Sequence, residues 1–488
     1  MKPILLQFKN DPDQLLYEQL YNYLKQEILH GQILAGERLP SLRQAAKTLG
    51  VSVTTVQTAY EQLLVEGYVE SLPQSGFYAC DLGKAAGAAR EVPLTTVKFE
   101  EGPFQEPPYR TDPASFNFVK WKKAMSTVLT DCQDLLLYDG DRQGEPALRR
   151  EIARYVYSSR GVVCTPDQIV ISAGTQQLMN HLARILRRMN VDLICAEDPG
   201  YRPAENIFRD RGFAVSRIPV NARTGIDVEK LPENVRTAVY VIPSNQFPTG
   251  AILPVARRYE LLEWSRRNAS IIIEDDYDSE LRYFGKPLPS LQGLDPQADV
   301  VYLGSFSSTL CAAVRISFMV LPPKMADLFR SFRDEFDQPC SKAEQLALAL
   351  FMERGFYRAH INKLRRLYAH KLRVAADTFH QQAPDFITTV NTSSGINMTL
   401  QVRTKLSPEE LSERAKTLRL QVTPAEGLSR PGSAAMIFYY NQVPSSEMAQ
   451  AVADLIRAWR STEEEKPAGQ DGAAPAPAGD GDDGTGRP

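Results

Sequence analysis

The feature that most constrains this chain lies in its middle, where short apolar runs alternate with helical segments. "QIVISAG", "DLICAEDPG", "TAVYVIP", "ASIIIEDDYD", "DVVYLGSF" and "AVRISFMVLP" read as strands, while "TQQLMNHLARILRR" reads as a helix. Apolar strands separated by helices call for a mainly parallel sheet with both faces covered. Ligands of such open α/β sheets gather at the carboxyl ends of the strands, so function is sought there.

The rest of the chain sets the frame. With 488 residues, 43% hydrophobic and 24% charged, it is long enough for two or three domains. No apolar run reaches the ~20 residues of a membrane span, and the start "MKPILLQFKNDPDQ" lacks a long apolar signal segment, so a cytoplasmic protein is expected. Six cysteines without CxxC pairs indicate neither a zinc site nor a disulfide framework. The net charge of −3 hides an imbalance, because residues 461–488 carry −5 and the remainder +2. That Pro/Gly/Ala/Asp-rich stretch has no apolar periodicity and is expected to be a disordered acidic tail. Residues 1–80 read as a small domain, 81–115 as a linker of low hydrophobicity, and 116–460 as a large domain.

In the small domain, Leu16, Leu20, Tyr23, Leu24 and Ile28 lie at helical spacing, and Gly31 closes that helix. "SLRQAAKTLG" and "SVTTVQTAYEQLLVEG" follow, N-capped by Ser41 and Ser52 and parted by a short turn at Gly50, which is helix-turn-helix spacing. "YVESLPQSGFYA" reads as a hairpin closed by residues 74–76, completing a mainly α winged helix-turn-helix. Residues 1–80 hold six basic and eight acidic side chains, whereas DNA-binding domains are usually basic. Composition therefore leaves helix caps on a solvated face and a DNA reader both open. The order of residues goes further: "GERLPSLRQAAKTLGVSVTTVQTAYEQLLVEGYVESLPQSGFY" closely resembles the GntR family of bacterial regulators. The resemblance implies contacts to double-stranded DNA from Arg43, Ser52, Thr54, Thr55 and Gln57, and from Ser75 and Gly76 in the wing. Val53 and Gln57 stand where some relatives carry arginine.

Four strand ends of the large domain carry polar signals. Gly174, Thr175 and Gln176 open a helix and offer N–H groups to an anion, or serve merely as its cap. Tyr201, in "EDPGYRP", could lie on a flat ligand or pack within its loop. Asp275, at the end of "IIIEDDYD", is a carboxylate whose burial calls for a cationic or hydrogen-bonding partner, with Tyr277 two residues on. A metal held by Asp275, Asp276 and Asp278 is set aside, since no histidine or second acidic cluster joins them. The fourth end, "GSFSSTLCAAVRIS", presents small hydroxyls and an arginine, Ser305, Ser307 and Arg315, which suit a phosphate.

"AGTQQ", "EDPGY", "PSNQFPTG", "EDDYDSELRY" and "GSFSSTLCAAVRIS" together look like the landmarks of the fold type I aminotransferase domain, in the version fused to a GntR domain in MocR-type regulators. That resemblance implies an α/β pyridoxal phosphate-binding fold in which Gly174, Thr175, Gln176, Ser305, Ser307 and Arg315 hold the phosphate. By the same resemblance Tyr201 stacks on the ring, Asp275 pairs with the pyridine nitrogen, Tyr277 faces the ring hydroxyl, and Asn245 counts among the cofactor-binding residues. Asn245 stands where relatives commonly carry histidine, and Ser308 stands where they carry the lysine that forms a Schiff base with the cofactor. A serine cannot form that link, nor supply the base for the proton shift of transamination. Neither Lys286 on a loop nor Lys324 beyond the next strand is placed to substitute.

Three readings follow: a dimeric regulator sensing pyridoxal phosphate, or its adduct with an amine or amino acid, noncovalently; a working aminotransferase; and a regulator whose large domain is a cofactor-free scaffold. Two features stand apart. Arg358, Lys363, Arg365, Arg366, Lys371 and Arg373 share one long helix, forming either a solvated face or a contact to DNA phosphates. Arg430 is a candidate anchor for an effector carboxylate.

Overall fold

A computed structural model describes residues 6, 8, 14–82, 107–283, 288–391 and 393–460. The tail at 461–488, Lys286 and most of the expected linker lie outside the described residues. The chain divides into two compact units, Met1–Gln105 and Glu106–Pro488.

In the first unit α1 (Leu16–Leu29), α2 (Leu42–Leu49) and α3 (Val53–Val65) precede a hairpin of β1 (Val69–Leu72) and β2 (Gly76–Ala79). The caps read from the sequence form: Ser41 accepts from the Gln44 amide at 3.3 Å and Ser52 from the Thr55 amide at 3.0 Å. Each cap satisfies a helical N–H that would otherwise lack a partner. Gly50 makes the turn between α2 and α3 with φ +69°, where a side chain would be strained. Leu20, Leu24, Val56, Ala59, Tyr60 and Leu63 fill the core, and the Tyr60 hydroxyl donates to the Pro40 carbonyl at 3.1 Å.

The second unit is built on eight strands: β3 (Ile169–Ser172), β4 (Leu193–Asp198), β5 (Ala214–Asn221), β6 (Gly225–Ile226), β7 (Ala238–Val241), β8 (Ile271–Asp276), β9 (Val300–Ser305) and β10 (Ser317–Val320). Their order across the sheet is β3-β10-β9-β8-β7-β4-β5-β6. The sheet is parallel from β9 through β5, with β10 antiparallel to both its neighbours and β6 antiparallel to β5. Strand parity decides what each face receives. Ile271 and Ile273 join the core beneath helices Thr175–Arg188 and Arg202–Asp210, while Ile272 joins the core beneath helix Val255–Arg267. By the same alternation Asp275 shares its face with Ile271 and Ile273, and Glu274 and Asp276 point the other way.

A four-stranded antiparallel sheet, β11 (Ile387–Val390), β12 (Met398–Arg403), β14 (Ser433–Phe438) and β13 (Val422–Pro424) in that order, completes the unit. It packs through Leu400, Val402, Met436 and Phe438 against helices Phe356–Gln382 and Met448–Arg460.

Two sequence expectations are modified here. The linker read as extending to residue 115 is ordered on the large unit from residue 107: the Arg110 amide donates to the Arg419 carbonyl at 2.8 Å, and Asp112 meets Lys371 Nζ at 2.6 Å. The basic run on helix Phe356–Gln382 is likewise not simply a solvated face. Lys371 is wholly buried, bound to Asp112 and to the Asn441 carbonyl at 2.7 Å, and Arg365 donates to the Glu280 carbonyl. The sequence pattern marks their charge but not the distant acceptors that bury them.

Candidate functional site

Two sites emerge, one in each unit. At the start of α3, Ser52, Thr54 and Gln57 are exposed and Thr55 is half-buried; Arg43 is exposed on α2. Ser52 is partly engaged by its cap and by a 2.8 Å bond to the Thr55 hydroxyl, and Gln57 donates to Glu61 at 2.8 Å. In the wing, Ser75 bonds the Tyr78 hydroxyl at 2.6 Å, and Gly76 sits at φ +116° with the Arg38 guanidinium 3.4 Å from where a Cβ would stand. Exposed polar groups at the N-terminal end of the second helix of a helix-turn-helix are the kind of group that reads a major groove.

In the large unit a cavity of about 250 Å³ opens at the carboxyl ends of the central strands. It brings together Thr175, Tyr201, Asp275, Tyr277, Ser305 and Ser307, together with Ser308. Asp275 reaches it from the end of β8 and accepts a hydrogen bond from the buried Tyr240 hydroxyl on β7. Burial pushes the Asp275 carboxyl up to about 7; the Tyr240 bond opposes this and the neighbouring Asp276 charge adds to it. Behind the sheet, Asp276 accepts from Arg160 and from the Tyr302 hydroxyl, each at 2.7 Å, and Glu274 accepts from the Leu291 amide at 2.9 Å. Those two carboxylates are structural, which leaves Asp275 to the pocket.

The anion end is built from the hydroxyl loop and the start of helix Thr175–Arg188. Ser305 accepts from Ser317 at 2.9 Å and from the Ser307 amide at 3.3 Å, and Arg315 donates to Ser307 at 3.3 Å. Gly174 has φ +92°, and a Cβ there would stand 2.7 Å from the Arg315 guanidinium, so only glycine lets the arginine approach the helix N-terminus. Tyr201 lies over the pocket with its ring edge-on to Phe247 at 6.4 Å; burial raises its hydroxyl pKa, and a hydrogen bond from Gln176 works against that rise. The Tyr277 hydroxyl donates to the Asn245 carbonyl at 3.4 Å, while Ser308 Oγ donates to the Tyr277 carbonyl at 2.5 Å.

Gly174, Gln176 and Arg315 adjoin lining residues without lining the cavity themselves, and two further candidates have their contacts elsewhere. Asn245 turns its side chain to Asp278 at 2.7 Å and Asn391 at 3.1 Å and is not part of the cavity wall. Arg430 is exposed, bridged to Ser433 beside β14, and likewise outside that wall. Lys324 is exposed just past the Val320 end of β10, whereas the hydroxyl loop meets that strand at Ser317. Conversely, Ile242, Phe247, Ile396, Asn397 and Tyr439 line the cavity without having been singled out as its residues. Tyr240 was also missed, although a tyrosine inside the apolar run "TAVYVIP" signals a buried hydroxyl in need of a partner.

An anion cradle that a Cβ would fill, a flat aromatic slot and a buried carboxylate are the parts a pyridoxal phosphate site requires, and the residues present fit that group. Fold and site thus define an aminotransferase-like unit attached to a winged helix. The sequence profile of "Aminotransferase class I and II" matches residues 108–459, and that of "Bacterial regulatory proteins, gntR family" matches residues 16–79. The uncharacterized HTH-type transcriptional regulator YdeL of Bacillus subtilis is 36% identical over 91% of this chain and 97% of its own. The probable rhizopine catabolism regulatory protein MocR of Rhizobium meliloti is 32% identical over 97% and 100%. LysN, an α-aminoadipate aminotransferase from Thermus thermophilus solved with N-(5′-phosphopyridoxyl)-L-leucine, superposes with a TM-score of 0.63 over 72% of this chain and 90% of that one. At 24% identity it shows the shared fold. The chain belongs to the MocR-type family of transcriptional regulators, a GntR-type DNA-binding domain fused to an aminotransferase-like domain. Among its described residues no helix is long and apolar enough to cross a membrane.

Proposed function

We propose that this regulator binds its operator as a cytoplasmic homodimer and that its large unit senses pyridoxal phosphate, or a conjugate of it with an amine, held without a covalent link. When bound, the cofactor supplies an electrophilic aldehyde on an electron-withdrawing ring. Gly174, Thr175, Ser305, Ser307 and Arg315 would hold its phosphate, Tyr201 and Phe247 would offer aromatic surface to the ring, and Asp275 would pair with the ring nitrogen. Tyr277 would serve the ring hydroxyl. The observation carrying this reading is Ser308: its hydroxyl gives its proton to the Tyr277 carbonyl, and among the described residues no lysine lines the cavity. A hydroxyl anchored in this way neither links to an aldehyde as an amine does nor accepts a proton near neutral pH. The fold's acid–base chemistry therefore lacks its central group, and what remains is binding.

The test is an absorption titration of the purified protein with pyridoxal phosphate, before and after borohydride, beside Ser308→Lys. The wild type is expected to bind with a free-aldehyde spectrum from which borohydride traps nothing, and the lysine variant to gain a reducible covalent linkage. Trapping in the wild type, with turnover of an amino acid, would restore the aminotransferase reading; binding by neither protein would leave a cofactor-free scaffold. DNA recognition is checked separately, as salt-sensitive, sequence-preferring binding to the region upstream of the protein's own gene.

A further inference from the structure

The basic run on helix Phe356–Gln382 keeps an exposed remainder once Lys371 and Arg365 are taken up inside the unit. Between Glu353 and Asp377 the sequence holds seven basic residues and no acidic one. Arg358, Arg366 and Arg373 are exposed and, at spacings of eight and seven, fall on one face of the helix, with Lys363 exposed at its edge. Arg354 is exposed just ahead of the helix, and Lys120 sets its ammonium 4.7 Å from the centre of the Phe356 ring. Lys363 donates to the Ala114 carbonyl at 3.0 Å and Arg366 to the Asn362 carbonyl at 3.3 Å. None of these six cations meets a carboxylate among the described residues.

This charge is costly where it stands. Arg354, Arg358 and Lys120 gather at the helix start, where the first turn carries no acidic residue and the positive end of the helix dipole repels them. Lys363 and Arg366 are like charges one turn apart. An anion laid along this face relieves both terms, and the chain carries one. Seven carboxylates between Glu463 and Asp483 give residues 461–488 their net charge of −5. That stretch also starts within reach of the face. Helix Met448–Arg460 packs with helix Phe356–Gln382 in one core, and the Arg460 guanidinium lies 5.3 Å from the ring centre of Phe386, just past the end of the longer helix. From that end, Arg373 and Arg358 lie about 14 and 36 Å back along the axis at the helical rise. The stretch from Arg460 to Asp483 spans up to about 75 Å when extended.

We propose that the acidic segment 463–483 docks along the exposed face of its own helix Phe356–Gln382, its carboxylates against Arg358, Lys363, Arg366 and Arg373, and that it shields this face from nucleic acid. A duplex offers the same anionic chemistry. The acidic segment has the advantage of its tether, which leaves it at the end of this very helix at an effective concentration on the order of millimolar. Random DNA must displace it before gaining those cations. A shielded large unit thus adds little to sequence-independent attraction and leaves the choice of site to base readout. This inference does not depend on the cofactor reading, so the titration with pyridoxal phosphate bears on that reading alone.

The test is carbodiimide coupling of the full chain, which joins a carboxylate to an amine in direct contact, read by mass spectrometry. In dilute salt the carboxylates of 463–483 should couple to Lys363 at least about fivefold more than to the exposed Lys324. The preference should vanish in about 0.5 M salt, where the screening length is about 4 Å. The combined variant Arg358→Gln, Arg366→Gln and Arg373→Gln keeps both lysines, alters exposed side chains alone, and should lose the preference. Replacing the seven carboxylates by their amides should tighten binding to a random duplex about tenfold in the wild-type background and less than about twofold in the arginine variant. Even coupling across exposed lysines, or a preference that survives in the arginine variant, overturns the docking. Coupling found only between isotopically distinct copies overturns it too, and makes the acidic segment of a second copy the occupant. If the amides leave random-duplex affinity unchanged, or tighten it equally in both backgrounds, the shielding is overturned. Duplex affinity that falls in the arginine variant by the same factor with either form of the segment would make DNA the occupant of the face.

Discussion

The two units use their polar side chains in opposite ways. On α3, Thr54 and Gln57 stand exposed; the Gln57 amide donates to Glu61 one turn on, and the Thr54 carbonyl accepts from the Thr58 hydroxyl, so both stay within the same helix. In the large unit, Asp275 is 5% exposed and held by a hydroxyl from the adjacent strand, and Lys371 is 0% exposed and paired across the fold. A duplex brings its own rigid shape and donor pattern, so its reader needs accessible groups on a fixed helix. A small ligand brings neither, and the pocket must hold its groups in place beforehand. The contrast makes the first unit tolerant of surface change and dependent on its small core, and the second dependent on individual buried polar groups.

The largest expected effect therefore comes from the core of the small unit. Tyr60 is fully buried, lies edge-on to Phe77 at 5.2 Å, and bonds the Pro40 carbonyl. Tyr60→Ala should cost about 3–5 kcal/mol in that unit, comparable with much of the stability of a domain this small. DNA binding should vanish while the pyridoxal phosphate titration stays as in the wild type. If the cofactor spectrum is lost too, the two units do not behave as separate folding bodies and the contrast breaks.

In the large unit one buried charge should suffice. Asp275→Asn preserves shape, but its side chain carries no charge to pair with a ring N–H. Affinity for pyridoxal phosphate should fall by about 1.5–3 kcal/mol, roughly 10–150-fold, with DNA affinity of the ligand-free protein unchanged. An unaltered titration would mean that Asp275 is only a partner for Tyr240 and that the pocket recognises ligand through its anion end alone.

A smaller effect lies in the pH dependence of the large unit. Burial holds the Asp275 carboxyl at about 7 and the Glu197 carboxyl at about 8, both above the ordinary range. For an acid whose folded value is raised, the folded state binds the proton more tightly than the unfolded state does. The associated stability is complete below the ordinary carboxylate value and is lost as pH rises through the folded one. Between pH 6 and 8 Asp275 alone should remove about 1 kcal/mol, read from denaturant midpoints of the ligand-free protein, and Asp275→Asn should flatten that part of the slope. A slope that steepens with stability rising toward pH 8 would contradict this assignment.

How much of this could be read from the chain divides along the same line. Local patterns carried the caps Ser41 and Ser52, the helix Thr175–Arg188, and the central strands, since each depends on residues near in sequence. Strand parity extends that reach, for it alone sends Asp275 to the pocket and Glu274 and Asp276 behind the sheet. What was missed depends on pairing over long separations. The four-stranded sheet assembles short segments spread from Ile387 to Phe438, and through it Asn397 and Tyr439 reach the cavity wall. Lys371 reads as a surface charge because its partner, Asp112, lies in a stretch with the composition of a linker. Asn245 sits in a landmark motif, but Asp278 and Asn391 take its side chain.

The smallest expected effect on folding comes from the reading face. Gln57 is exposed and bonds Glu61 one turn on, so Gln57→Ala strands no buried group among the described residues and should change stability by less than about 0.5 kcal/mol. Its effect belongs to DNA. A glutamine that reads a base edge discriminates among sequences without neutralising a phosphate, so its loss should weaken binding to the operator more than to random duplex and leave the salt dependence unchanged. Arg43→Ala is the complement: if Arg43 lies against the backbone, its loss should weaken both duplexes alike and lower the salt slope by about one unit. Measured together by fluorescence anisotropy at several salt concentrations, the two variants separate specificity from attraction. If Gln57→Ala weakens operator and random duplex equally, the groove-facing assignment of α3 fails, even though the helix and its cap remain folded as they are.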